Sequence, residues 1–383
     1  MTDIKGITAD YNFCSVPPDF FASPQHRFDW PALLGRSSAA LGSLRIPSAA
    51  GARVLVTGAG GFIGSAMVRA FAASGAEQIM LLEIAEQPLF EIHAALTALG
   101  QNCVAVLGSV TDRQLLDELF RDHRPQLILH AAALKHAPLM EHNPLAAVAT
   151  NALGTWALVQ AAEAYGAQSM LLVSTDKAVA PHSIMGAAKR IAEMVMLAPS
   201  AANFRKIAVR LVNVIGSPAS VADIFARQIA AGQPVTVTHP AARRYFITLD
   251  ETSGLLAEAL ATSIHGLLIP EPGEQIVISE LAQRMISASS SPGLPIVFTA
   301  ERPGDKRDES LLSDHESLAG PATAHLQRVH SPITHDLEAQ LHGLAAAIAA
   351  HNPTETLRVV AALVPDYHPS VLLEDALTAA ARP

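Results

Sequence analysis

Only two of the 383 residues are cysteine, Cys14 and Cys103, 89 positions apart. That spacing supports neither a disulfide framework nor a zinc-ligand cluster, and a reducing, cytoplasmic setting is expected. The sixteen histidines are scattered without HExxH spacing, and no metal site is expected. Charged residues make up 16% of the chain, against roughly 25% in ordinary soluble proteins. Acids outnumber bases 35 to 26, for a net charge of −9, so the basic footprint of a nucleic-acid or anionic-membrane binder is missing. Half of the residues are apolar, yet they fall in short runs such as 54–58, 79–83, 127–133 and 170–174. A membrane-spanning helix needs about 20 in succession, so no span is expected. The first residues, with Asp3 among them, show no secretory signal.

Short runs rich in Val, Ile and Leu are what a parallel sheet covered on both faces requires. Strands are expected at 53–57, 78–83, 103–107, 126–130, 169–174 and 206–211, and helices at 63–74, 86–99, 112–121, 144–165 and 184–198. Strands alternating with helices imply right-handed crossovers and a doubly wound α/β sheet. This domain is expected to span 51–216, with 245–265 returning to it. After Gly216 the regularity drops, and 217–244 with 266–335 read as a smaller α/β lobe, with short strands at 235–238 and 296–298 and helices near 250–263 and 279–288. Residues 336–383 form a C-terminal helical segment, with helices at 336–350 and 354–364. Residues 1–50 hold five prolines and read as an extension that either wraps the body or remains a flexible tail.

Thr57-Gly58-Ala59-Gly60-Gly61-Phe62-Ile63-Gly64 follows an apolar strand and opens a helix. Gly58, Gly61 and Gly64 stand where a dinucleotide-binding turn needs missing side chains, and the helix start at Phe62 and Ile63 offers free N–H groups to phosphates. Glu83 ends the next strand, 19 residues after Gly64. An acid there accepts from ribose hydroxyls and repels a 2′-phosphate, which favours NAD over NADP.

The glycine spacing, Ala131-Ala132-Ala133, Asn151 with Gly154-Thr155, Ser174-Thr175-Asp176-Lys177, Met185 and Lys189 together resemble the extended short-chain dehydrogenase/reductases, which carry a Rossmann sheet and a substrate-binding lobe. The blocks HAAALKHAPLMEHNP, STDKAVAPHSIMGAAKRIAEM, VTVTHPAARRYFITL and ERPGDKRDESLL narrow the likeness to nucleotide-sugar 4,6-dehydratases of the CapD/FlaA1 type, polysaccharide biosynthesis proteins acting on UDP-N-acetylglucosamine. The resemblance runs from Leu33 to the VPDYHP segment at 364–369.

It implies that Asp176 protonates the departing 6-hydroxyl and Lys177 removes the C5 proton. For these tasks burial should raise the Asp176 pKa, while that of Lys177 should be lowered. Most short-chain dehydrogenases carry a Tyr four residues before the Lys matched by Lys189; here Met185 stands there, as in the long membrane-attached members, which retain the C5 configuration. A thioether is no base, so removal of the 4-hydroxyl proton falls to Thr175 or Asp176 through water, or to Lys177. Lys189 is expected to bond the nicotinamide ribose, Ala131 and Ala132 to border the cofactor, and Ser174 or Thr175 to orient the sugar O4. Asn213, Arg244 and Arg302 match the family's diphosphate contacts, arginine suiting the task through its planar fork. Lys135 is a candidate contact to sugar or cofactor, while the neighbouring His136 reads equally as structural.

The family pattern is broken by Leu134 for Tyr, Val212 for Gly, Pro218 for Arg and Ser109 for Asp. Two other readings therefore stay open. One is a nucleotide-sugar 4-epimerase or oxidoreductase on the same scaffold, and the other a non-catalytic NAD-binding protein of a glycan-assembly complex. A homo-oligomer is expected by analogy.

Overall fold

The computed structural model describes residues 28–36, 45–200, 203–271, 273–333 and 335–374. The expectations for 1–27, 37–44 and 375–383 lie outside the described residues, as does Cys14. After the short helix α1 (Trp30–Leu33) come β1 (Arg53–Thr57), α2 (Phe62–Ala73), β2 (Gln78–Glu83), α3 (Glu86–Ala98), β3 (Cys103–Leu107), α4 (Arg113–His123) and β4 (Leu127–His130). Two one-turn helices, α5 (Ala137–Glu141) and α6 (Pro144–Val148), precede a π-helical turn at Ala149–Leu153 and α7 (Gly154–Ala164). Then follow β5 (Ser169–Thr175), α8 (Ile184–Leu197) and β6 (Arg205–Leu211).

The principal sheet runs β3-β2-β1-β4-β5-β6 and is parallel throughout these six strands. Four of the five residues of β1 and five of the six of β2 are buried, which is why their sequences are almost uninterrupted Val, Ile, Leu and Met. The chain winds outward from β1 to β3, then returns to place β4 on the other side of β1. That reversal opens a crevice beyond the carboxyl ends of β1 and β4, the usual position for a ligand in an open Rossmann sheet.

The remainder is organised differently from the expected division. The elements are β7 (Asn213–Val214), α9 (Val221–Ala230), β8 (Val235–Val237), β9 (Arg243–Arg244), β10 (Phe246–Ile247), α10 (Leu249–Ala261), β11 (Gly266–Pro270), β12 (Ile276–Val277), α11 (Ile278–Ser287), β13 (Ile296–Phe298), β14 (Ser317–Pro321) and β15 (Leu326–His330). Assigning all of 266–335 to the small lobe is corrected here: β11 joins β6 in parallel, and β15 and β14 continue the sheet antiparallel, for nine strands. Pairing with β6 buries Leu267 and Leu268, whereas β14 lies on the edge and is mostly exposed, so it carried no apolar signal. The lobe keeps the β8–β13 and β9–β12 pairs and packs α9 and α11 around Phe225, Val235, Leu281 and Met285.

Residues 28–36 of the N-terminal segment lie on this lobe. Leu33 and Leu34 enter its core, Arg284 Nη1 donates to the Leu33 carbonyl at 3.0 Å, and Arg36 pairs with Glu251 at 3.1 Å. At the other end, α12 (Leu337–Ala349) and α13 (Pro353–Leu363) pair and add Leu344, Leu357 and Val360 to the main core. Among the described residues one run, Pro144–Ala164, is long and apolar enough to cross a membrane, but 67% of its apolar window is buried inside the protein. It is broken by the π-helical turn and packs against α4 and α8.

Candidate active site

The glycine-rich turn has the backbone expected of a phosphate cradle. Gly58 adopts φ +66°, and a Cβ there would stand 2.8 Å from the Ala132 amide nitrogen. Ala131 and Ala132 thus pass directly over the turn, where the Ala131 N–H donates to the Thr57 carbonyl at 3.1 Å. A Cβ on Gly64 would collide with the Gly58 carbonyl oxygen. These two glycines let β1, α2 and the segment after β4 approach one another. The first turn of α2, starting at Phe62 and Ile63, has no side-chain cap and no acidic residue, so its N–H groups remain directed at the crevice. The Glu83 carboxylate accepts from the N–H groups of Gly60 at 3.1 Å, Ile84 at 3.0 Å and Ala85 at 3.2 Å. It is fixed at the rim of the turn, where the resemblance puts the ribose contact. These features fit an adenine dinucleotide.

A buried chain of hydrogen bonds, unforeseen from the sequence, supports this cradle. His130, with no exposed surface, places Nδ1 2.7 Å from Thr57 Oγ1 and Nε2 2.9 Å from Thr155 Oγ1. The Thr155 hydroxyl donates to the Asn151 carbonyl at 2.8 Å, so it accepts from His130 Nε2–H, and Nδ1 in turn accepts from Thr57. Burial lowers the His130 pKa to about 3, with the Lys189 charge acting in the same direction, so the imidazole is neutral. Asn151, inside the π-helical turn, clamps Leu134 through both backbone groups, at 2.8 and 2.9 Å. The turn, the end of β4 and the mouth of the crevice are thereby one hydrogen-bonded unit.

Two strands from the turn, at the same end of the sheet, β5 leads into a 3-10 turn at Asp176–Ala178. Thr175 accepts from the Lys177 N–H and donates its own proton to Asp176 Oδ1 at 2.9 Å. Lys177 Nζ lies 2.9 Å from the same oxygen and 3.2 Å from Asn213 Oδ1. Asp176 is fully buried, and its Oδ2 has no hydrogen-bond partner among the described residues. Lys177 keeps 27% of its side chain exposed and lines a small cleft with Ala137, His182, Arg244, Lys306 and Glu309. On α8, one turn apart, Met185 is packed in the core while Lys189 sets Nζ 2.7 Å from the Val173 carbonyl. Burial lowers the Lys189 pKa to about 8.

Several expectations require correction. Lys177 was expected to have a lowered pKa; burial does oppose its charge, but Asp176 and Glu309 outweigh that and hold it above the ordinary lysine range. Ser174 does not face the cleft: strand alternation turns it inward, and its hydroxyl donates to Glu193 at 2.6 Å in a buried cluster. Within that cluster Arg210 bridges Glu193 at 2.7 Å and Glu316 at 2.8 Å. Arg244 holds the carbonyls of Arg243, Lys306 and Arg307, and its Nε lies 3.8 Å from Glu309. Asn213 bonds Lys177 and the Tyr245 carbonyl. Arg302 is half exposed and paired with Asp305 at 2.9 Å, beside the cleft rather than in it. Lys135 reaches over to the Pro218 carbonyl at 2.9 Å, a contact to one of the positions that depart from the family pattern. Glu309 was missed. It lies within the recognised block ERPGDKRDESLL, but four other charged side chains directly precede it there, and nothing in the spacing selects one.

Known proteins share this fold and much of this sequence. Residues 54–330 match the family model described as polysaccharide biosynthesis protein. The probable polysaccharide biosynthesis protein EpsC of Bacillus subtilis is 41% identical over 292 residues, covering 74% of this chain and 49% of EpsC. The capsular polysaccharide biosynthesis protein CapD of Staphylococcus aureus is 39% identical, covering 69% of this chain and 45% of CapD. The chain thus spans about half the length of these curated relatives. Among solved structures, a double mutant of DesIV from Streptomyces venezuelae, a dTDP-glucose 4,6-dehydratase, with NAD and DAU bound, superposes with a TM-score of 0.59 at 24% identity, covering 68% of this chain and 88% of that one. With the family model extending from β1 to the last strand of the sheet, the chain belongs to the polysaccharide biosynthesis protein family.

Proposed function

We propose that the chain is an NAD-dependent nucleotide-sugar 4,6-dehydratase, converting UDP-N-acetylglucosamine to the UDP-4-keto-6-deoxy-N-acetylhexosamine. The observation that carries this reading is the Asp176–Lys177 pair at the end of β5, one partner buried with an unpaired oxygen and the other open to the cleft. Gly58, Gly61, Gly64, the start of α2, Glu83 and Lys189 would hold NAD, which when bound supplies the acceptor and donor of the hydride exchanged with C4 and C6 of the sugar.

The raised pKa of Lys177 is compatible with its role as base, because a single proton can serve both members of the pair. If it moves from Lys177 Nζ to Asp176 Oδ1 across their 2.9 Å contact, it leaves a free amine and a neutral acid together. The amine takes the C5 proton, the C5–C6 double bond forms, and the 6-oxygen leaves as water with the Asp176 proton. Lys177 is then again charged and Asp176 again ionised. Thr175, bonded to Asp176, would orient the sugar O4.

Epimerisation would leave this pair without a task, and Met185 cannot manage the 4-hydroxyl proton in either direction. Incubating the protein with UDP-N-acetylglucosamine and NAD separates the readings by mass spectrometry. Loss of one water is expected; an unchanged mass with inverted C4 supports the epimerase, and NAD binding without turnover supports a non-catalytic protein. A homo-oligomer belongs to the same reading, checked by light scattering.

A further inference from the structure

Glu309 has no part in the chemistry above, yet it is the second anion beside Lys177. Its Oε1 lies 3.7 Å from Lys177 Nζ and 3.8 Å from Arg244 Nε, and its Oε2 lies 3.9 Å from Lys306 Nζ. The side chain is 2% exposed, and Oε2 has no hydrogen-bond partner among the described residues. A carboxylate buried in this way is costly unless nearby charges balance it. Glu309 is not needed to anchor its own segment, which is tied down through the backbone: the Glu309 carbonyl accepts from Gln275 Nε2 at 2.8 Å, and the Lys306 and Arg307 carbonyls accept from Arg244.

We propose that Glu309 is a positioning residue for Lys177: it holds the ammonium against Asp176 and Asn213 and sets the pH at which Lys177 yields its proton. The proposal rests on the dehydratase reading only for its consequence in turnover. The groups facing Glu309 are Lys177 and Asp176 from the 3-10 turn, Arg244 from β9 and Lys306 from its own segment; His182 and Asp305 line the same cleft. Without the Glu309 charge, Lys177 would face Asp176 alone against the cations Arg244 and Lys306. Burial pushes the Glu309 pKa up, so this carboxyl takes a proton more readily than an exposed one. Ionised, it retains the proton on Lys177; protonated, it releases Lys177 to pass its proton to Asp176. Glu309 touches no reacting atom and acts through Lys177.

The test is an NMR titration of the full chain with NAD, carrying lysine labelled with carbon-13 at Cε; the Lys177 signal is the one missing in Lys177→Met. In Glu309→Gln the Lys177 midpoint should fall by about one pH unit or more, the usual effect of removing an opposite charge at this range. Glu309→Asp, which keeps the charge but withdraws it by one methylene, should give a smaller fall, and it carries the test if the Gln protein does not fold. In turnover, the limb of the kcat profile reporting Lys177 should move with the NMR midpoint while KM changes by less than about threefold. Folded variants with an unshifted Lys177 midpoint, or a kcat lowered equally at every pH, would overturn the proposal. If the parent protein releases no water from the sugar nucleotide while the Lys177 midpoint still shifts, the dehydratase reading fails and the coupling of Glu309 to Lys177 stands.

Discussion

His130 Nδ1 lies 2.7 Å from Thr57 Oγ1, joining the end of β4 to the last residue before the glycine-rich turn. Because this imidazole is neutral down to about pH 3 in the fold and has an ordinary value of 6.5, the unfolded chain binds a proton that the folded one refuses. Its stabilising contribution is complete above pH 6.5 and is lost as pH falls toward 3, at about 1.4 kcal/mol per pH unit within that window. Urea unfolding from pH 7 to 4 should show this slope, reduced by one proton's worth in His130→Phe. Equal slopes in the two proteins would exclude His130 as its source.

On the dehydratase reading, in which Lys177 acts on the sugar and not on the cofactor, Lys177→Ala should abolish water release while leaving NAD affinity within a few-fold. Loss of a positioned acid or base lowers rates by about 10² to 10⁴, and Asp176→Asn should fall in the same range. Equilibrium dialysis for NAD and mass spectrometry for product check the two halves; undiminished turnover in Lys177→Ala would remove it from the role of base.

Arg210 holds Glu193 and Glu316 together with almost no exposed surface on any of the three. Arg210→Met leaves the two buried carboxylates with only the longer 3.4 Å contacts to Arg190 and should cost about 3 kcal/mol. Adding Glu316→Gln should recover part of that. Burial alone would raise the Glu316 pKa, but its hydrogen bonds and charge pairing with Arg210 lower it from 4.5 to about 2, so this carboxylate stabilises the fold above pH 4.5 and ceases to do so as pH falls to 2. Unfolding measured at pH 7 and pH 3 checks both statements; an Arg210→Met protein as stable as its parent would contradict them.

Gly64→Ala drives a methyl into the Gly58 carbonyl oxygen, and overpacking of this kind costs about 1–3 kcal/mol. The turn should open, with NAD affinity falling more than tenfold while the helical circular dichroism is kept. Gly75→Ala is the converse case, with φ +79° and open space around the added methyl, and shows the cost of backbone strain without the collision that Gly64→Ala introduces.

The parallel core was legible because each buried strand is a compact apolar run ended by a turn: the expected limits of 53–57, 78–83 and 103–107 coincide with β1, β2 and β3. Helix 144–165 was foreseen in extent but not in form, since the π-helical turn Ala149–Leu153 contains neither Pro nor Gly. The antiparallel strands β14 and β15 escaped because their alternation is too weak to distinguish them from loops. At the site, Asp176, Lys177 and Lys189 were readable from local motifs. Glu309 was not, because its partners Lys177 and Arg244 come from distant parts of the chain and only the tertiary fold brings them to it. Ser174 was misread for a simpler reason: in a strand, adjacent residues face opposite sides, and only one of Ser174 and Thr175 could point into the cleft.

With three of its N–H groups on backbone carbonyls and Nε turned to Glu309, Arg244 has little of its fork left for a ligand. To a diphosphate approaching along the cleft it offers mainly a fixed positive field. Attraction of that kind acts at a distance and falls off over about 10 Å in 0.1 M salt. On the proposed function, capture of the nucleotide sugar should therefore weaken with ionic strength.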